Sequence, residues 1–153
     1  MPSRATSLTC AAGEHFVAFR LSLLGAPVGL TRGGSPAVDF MVSDSKGTES
    51  VSIQVKTSSY AWREYKRKPE NNHWEWDVGK KALQIDSKSI FYAFVDLKNG
   101  AADSLPSVFI VPSTVVKNWL GEGWSRYMFW IMHKDKDKYL DRWDLITNRL
   151  LPH

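Results

Sequence analysis

Four side chains stand out for what they could do together: Glu14, Asp39, Gln54 and Lys56. Asp39 lies in Val38-Asp39-Phe40-Met41-Val42, and Gln54 and Lys56 lie in Val51-Ser52-Ile53-Gln54-Val55-Lys56-Thr57. Both stretches alternate apolar and polar with period two, the pattern of half-buried strands. Val38, Phe40 and Val42 share one face, which leaves Asp39 on the other. Val51, Ile53 and Val55 share a face, and Gln54 and Lys56 point away together. The polar residues between them form a hairpin connection with Gly47 at its bend. Pairing Ser43 with Ser50 sets Asp39 directly opposite Gln54, with Lys56 one step along the same face. A carboxylate, an amide oxygen and an ammonium that only donates then converge on one patch. The same residues would also suit a solvent-facing sheet surface.

Glu14 belongs to the first element, a helix predicted over residues 9–24, with Thr9 as its cap and Gly25 as its stop. Its apolar stripe includes Val17, Ala18, Leu21 and Leu24. Glu14 lies three and four residues before Val17 and Ala18, so it shares that stripe. A carboxylate there is costly unless it has a partner. A position in the first turn, favoured by the helix dipole, would be the simpler account.

Further along, residues 28–30 read as a short strand closed by a turn at 32–36. Residues 74–78 alternate and suit an edge strand, followed by a short helix near 79–85. The nearly continuous apolar run at 89–97 reads as a buried strand. Asn99-Gly100 marks a turn, and residues 107–111 form another strand. Ser113 is a good cap for a helix reaching Leu120, with Gly121 as its stop. A strand at 128–132, a solvated charge run at 134–138 and a helix at 138–147 complete the chain. There is no internal repeat or linker. The expected fold is one mixed α/β domain over residues 1–153.

Composition narrows the classes. The chain has 153 residues, 43% hydrophobic and 24% charged, which is enough to bury a real core. A net charge of +4 is compatible with a polyanionic partner. Cys10 is the only cysteine, so no internal disulfide forms, which points weakly to a reducing compartment. No apolar run approaches the roughly 18 residues of a membrane helix. Glu14, His15 and Arg20 interrupt any signal-peptide core. A cytoplasmic protein without a membrane partner is expected. There is no phosphate-loop, dinucleotide or nucleophile-elbow pattern. His15, His73, His133 and His153 lack zinc spacing.

A helix Glu, a strand Asp and a Gln-x-Lys on the next strand, in that order, resemble the PD-(D/E)xK nuclease superfamily. Gly13-Glu14 matches its helix Glu, Ala37-Val38-Asp39 its Pro-Asp half, with Pro36 shifted back, and Gln54-Val55-Lys56 its second half. The resemblance covers residues 9–58 by motif. It implies a restriction-endonuclease-like core, a mixed β-sheet flanked by helices, and hydrolysis of phosphodiester bonds in DNA. It also implies Mg²⁺ or Mn²⁺ held by Asp39, Gln54, the Val55 carbonyl and Glu14. Lys56 would orient or deprotonate the attacking water, or stabilise charge on the phosphate. The family has Asp or Glu where this chain has Gln54. One charge fewer predicts weaker metal binding, with one ion rather than two. Small nucleases of this type are often homodimers, because two strands must be cut. An inactive nuclease fold that binds nucleic acid or a protein partner is the alternative.

The segment at 58–76 is the candidate for nucleic-acid contact. Arg63, Lys66, Arg67 and Lys68 would neutralise phosphates. Tyr60, Trp62, Tyr65 and Trp74 would stack on unpaired bases or wedge into a duplex. A solvated basic loop whose tryptophans pack on the core is the competing account. Lys80, Lys81 and Gln84, on the short helix beyond the hairpin, read as surface residues, with a contribution to the site as the alternative.

Overall fold

The computed structural model describes residues 4–31, 38–121 and 126–150. Its organising element is strand β3 (Ser50–Ser58), the chain's longest strand. Val51, Ile53 and Val55 bury one of its faces, and the alternating Ser52, Gln54 and Lys56 are half-buried on the other. β2 (Phe40–Ser43) pairs antiparallel with β3, in the expected register of Ser43 with Ser50. The bend between them uses a left-handed Gly47, and Asp44 accepts the Thr48 N–H at 2.7 Å. β1 (Val28–Leu30) adds to the β2 edge.

On its other side β3 pairs in parallel with β6 (Ile90–Asp96), which pairs antiparallel with β7 (Ser107–Pro112). The sheet is therefore mixed, in the order β1-β2-β3-β6-β7. The crossover from β3 to β6 carries β4 (Trp62–Arg63), β5 (His73–Asp77) and a 3₁₀ turn, Lys80–Gln84. With β8 (Met128–Met132), these strands form a second sheet in the order β4-β5-β8. β5 is thus the central strand and not an edge. Its second partner arrives from far along the sequence, which no local pattern reveals.

Two apolar clusters flank the larger sheet. On one face α1 (Arg4–Leu23) and α3 (Asp144–Leu150) bury Val17, Leu21 and Ile146 against Phe40, Ile53 and Ile110. On the other, α2 (Ser113–Leu120) and the second sheet pack Val116, Leu120, Trp76 and Phe129 against Phe94 and Phe109. Trp76 Nε1 donates to the Val95 carbonyl at 2.9 Å and ties the two sheets together.

Several sequence expectations are corrected. α1 begins at Arg4, so Thr9 is an internal residue whose hydroxyl donates to the Ala5 carbonyl. Leu24 lies beyond the helix and is exposed, outside the buried stripe. Ser113 is buried and does not cap α2; its hydroxyl donates to the Ser87 carbonyl and accepts the Ser87 N–H. The charge run forms a 3₁₀ turn, His133–Lys138. The last helix starts later than expected because Leu140 first bridges to Phe109 and lines the β7 edge. The turn expected at 32–36, with Pro36 and Ala37, lies outside the described residues.

Candidate functional site

Glu14 owes its place to the glycine before it. A Cβ at Gly13 would lie 1.8 Å from Thr57 Oγ1 and 2.9 Å from Thr57 Cβ. Only glycine lets α1 come this close to β3, which offsets the roughly 1 kcal/mol that glycine costs in a helix relative to alanine. Glu14 is half-buried at this crossing.

Asp39 sits where β2 leaves the regular ladder. Its N–H donates to the Ile53 carbonyl at 2.9 Å, although Ile53 is the register partner of Phe40. Its carboxylate then takes over the next position, with Oδ2 accepting the Val55 N–H at 2.7 Å. Asp39 therefore brackets Gln54 instead of forming a regular pair opposite it, which corrects the expected register at this one residue. Among the described residues, Oδ1 accepts no hydrogen bond.

Glu14 and Asp39 act on one another electrostatically. Burial pushes the Glu14 carboxyl above its ordinary value, Asp39's negative charge raises it further, and His15 opposes. Burial also raises Asp39, while the Val55 N–H and Lys56 pull it down. Two carboxylates near each other and partly desolvated both resist ionisation.

Gln54 and Lys56 lie on the face of β3 opposite Val51, Ile53 and Val55. Parallel pairing sets Gln54 beside Tyr92 and Lys56 beside Phe94. Gln54, Lys56 and Tyr92 line a cavity of about 470 Å³ with Val78, Gly79, Lys80, Lys81 and Ile85. Gln54 Oε1 is inaccessible and has no hydrogen-bond partner among the described residues. The structure thus joins the four predicted residues through Asp39: it couples to Glu14 and Lys56 and flanks Gln54, while Glu14 stays outside the cavity lining. Lys80 and Lys81, read from sequence as surface residues, prove to line it. Gln84 is exposed and does not. Tyr92 was hidden in an apolar strand run, and only the parallel pairing exposes its relation to Gln54.

The basic segment divides. Arg63 is engaged locally: Nε meets Glu75 Oε1 at 2.9 Å and Nη1 donates to the Tyr60 and Trp62 carbonyls. Trp62 packs on Trp74 with ring centroids 4.5 Å apart, and Trp74 packs on buried Phe109. These two rings support the sheet more than they offer a free face. Lys66, Arg67 and Lys68 are exposed and form no ion pair among the described residues; with Tyr65 they line a shallow depression.

Three side chains offer oxygens that suit a hard cation: Asp39 through its free Oδ1, Glu14 through its carboxylate and Gln54 through its unpartnered Oε1. No group of three or more His, Cys, Asp or Glu able to hold a metal occurs among the described residues. Any site here therefore needs the amide oxygen as well as the two acids. No helix among the described residues is long and apolar enough to cross a membrane. The architecture is a mixed α/β fold with its polar cluster at the β2–β3 break. Compared with known proteins, the chain matches no family model, no curated protein and no solved structure.

Proposed function

We propose that this chain is a nuclease of the PD-(D/E)xK type, hydrolysing phosphodiester bonds in DNA with Mg²⁺ or Mn²⁺. One observation carries the reading. Asp39 spends one carboxylate oxygen on the Val55 N–H and keeps the other free, while the side-chain oxygen of Gln54, the residue before Val55, is buried and unpartnered. Asp39, Glu14 and Gln54 would hold the ion, and the Val55 carbonyl is the fourth candidate donor. When bound, a divalent cation there supplies polarisation of a phosphate oxygen and a more acidic water. Lys56 orients that water or neutralises charge growing on the phosphate. The water would lose a proton to solvent as its oxygen bonds to phosphorus, the ester P–O bond would break, and the departing oxygen would take a proton from solvent. Lys80 and Lys81 add positive charge where the phosphate backbone would pass, and the exposed Lys66, Arg67 and Lys68 extend its contact.

The decisive experiment is cleavage of plasmid, single-stranded DNA, branched DNA and RNA in Mg²⁺, Mn²⁺ or EDTA. Lys56→Ala is expected to cut at least ~10²-fold more slowly while still folding, the ordinary scale for loss of a positioned acid–base group. Metal-independent cutting, or a Lys56→Ala variant as active as wild type, would sink the catalytic reading. Nucleic-acid binding without any cutting would favour an inactive binding module, with Gln54 as the reason. Changing Lys66, Arg67 and Lys68 together to Ala tests the contact surface. The slope of log affinity against log salt should shrink by about 0.9 for each lost phosphate contact on duplex DNA. An unchanged slope removes this segment from the interface.

A further inference from the structure

The cavity beside Gln54 is larger and more varied than a phosphate alone requires. Its volume of about 470 Å³ falls within the roughly 300–1,000 Å³ of small-molecule sites. Its polarity is graded. Lys80 and Lys81 are exposed, Lys56 is half-buried, and Tyr92 is wholly buried. Among the described residues, no carboxylate lines it. Val78 and Ile85 supply apolar wall. Gly79 takes a left-handed φ of 73° with nothing within 4 Å of where a Cβ would stand, so the wall stays open there. The Tyr92 hydroxyl has no hydrogen-bond partner among the described residues. Leaving a buried donor unmet is unfavourable, and a ligand that met it would recover that loss. Burial pushes the phenol up to about 12, so it stays protonated and donates.

We propose that this cavity holds one nucleotide unit, its phosphate against Lys56, Lys80 and Lys81 and its base between Val78, Ile85 and the Tyr92 hydroxyl. Lys80 and Lys81, which form no ion pair among the described residues, and Lys56, which interacts with Asp39 alone among the acids, together call for phosphate. Apolar walls behind them, ending in a single buried donor, call for a flat group that carries an acceptor. A bare phosphate meets the first demand and leaves the second unmet. Gln54 marks where the cavity meets the cation-binding oxygens, so the unit would sit next to the reacting phosphate; only that adjacency rests on the nuclease reading. The unit comes either from a free nucleotide or from an unpaired residue of a strand, whose base must leave its stack to enter.

Calorimetric titration of the whole chain in EDTA separates these cases without any cleavage. The probes are deoxynucleoside and ribonucleoside 5′-monophosphates, a single-stranded oligonucleotide, its duplex and inorganic phosphate. Either a monophosphate or the single strand should bind at least about tenfold more tightly than inorganic phosphate. Tyr92→Phe should weaken that binding roughly three- to tenfold, the range of a lost hydrogen bond, with phosphate affinity unchanged and thermal stability equal or higher. A merely structural Tyr92 would give the reverse: lower stability and unaltered affinity. Lys80→Ala with Lys81→Ala should weaken both ligands and flatten the salt dependence. A preference for the free monophosphate assigns a free nucleotide; a preference for the single strand over its duplex assigns an unpaired residue. Equal affinity for nucleotide and phosphate, no binding by any probe, or an indifferent Tyr92→Phe overturns the proposal. Absence of metal-dependent cutting, with these titrations intact, would remove the nuclease reading and leave the nucleotide site standing.

Discussion

Two groups of charge that meet at β3 make opposite electrostatic demands. In one, Glu14 and Asp39 are partly buried acids that burial holds back from ionising, and the Asp39 charge raises Glu14 further. In the other, Lys56, Lys80 and Lys81 line a cavity with no acid in its lining among the described residues. The acids are unfavourable together because they are partly desolvated, and the lysines, two of them exposed, concentrate positive charge at one opening. The difference teaches what each side lacks. The acid side is short of a cation, and the lysine side is short of an anion. Asp39 is the hinge between them, because it couples to Glu14 and Lys56 and is tied to the backbone amide of the residue between Gln54 and Lys56.

Breaking the acid side by geometry should give the largest stability effect. Gly13→Ala puts a methyl 1.8 Å from Thr57 Oγ1 and 2.9 Å from both Cβ and Cγ2, so turning the threonine does not make room. The expected loss is about 3 kcal/mol, the upper end for an overpacked contact, read as the shift of a denaturation midpoint. Thr57→Ala in the same chain should restore most of it. Because the lysine cavity is not part of this crossing, nucleotide titration of the rescued variant should be unchanged. A tolerated Gly13→Ala would mean that α1 and β3 are not held at this distance.

Asp39 separates support from chemistry. Asp39→Ala leaves the Val55 N–H without its acceptor between two strands, which costs about 1–3 kcal/mol. Asp39→Asn keeps an acceptor oxygen, so its stability should fall by less than half as much. Cation affinity should nevertheless drop in both, since both lose the charge. Equal stability loss in the two variants would show that the charge itself holds the ladder. Undiminished Mg²⁺ binding in Asp39→Asn would show that the acid side does not serve a cation.

How much of this contrast could be read from the chain follows from range. The hairpin register, the face carrying Gln54 and Lys56, the strands at β6, β7 and β8, and the stop at Gly121 are local matters of period and turn chemistry. Asp39's departure from the ladder was not legible, because alternation through Val38 and Phe40 suggests an unbroken strand. Gly13 was noticed only as Glu14's neighbour; its need to be glycine depends on a side chain 44 positions later, at Thr57. The lysine cavity needed still more. Tyr92 meets Gln54 only through parallel pairing, and Lys80 and Lys81 reach it from a crossover that also builds a second sheet. Sequence pattern names the residues on a face but not what a distant strand brings to it.

The subtlest test of the contrast is the charge on Glu14. Its carboxyl titrates above the ordinary value of about 4.3 because of burial and then Asp39. A folded state that holds a proton more tightly than the unfolded state gains stability from protonation. That contribution is present at pH below the unfolded value and is lost as pH rises through the raised folded value. Asp44 and Asp144 are shifted the opposite way, lowered by Thr48 and by Arg142, and oppose it in the overall profile. The comparison of wild type with Glu14→Gln cancels those groups. Above pH 6 without metal, Glu14→Gln should melt slightly higher than wild type. The rise should be smaller than the roughly 2–4 °C that 1 kcal/mol gives a chain of this size, because Glu14 is only partly desolvated. Near pH 3 the advantage should vanish, since both chains are then neutral at this position. Adding Mg²⁺ at neutral pH should raise the wild-type melting point and leave the variant nearly still, because the ion relieves the repulsion that the substitution has already removed. A variant that melts lower than wild type at neutral pH would reverse the sign of the interaction, and the acid and lysine groups would no longer make opposite demands.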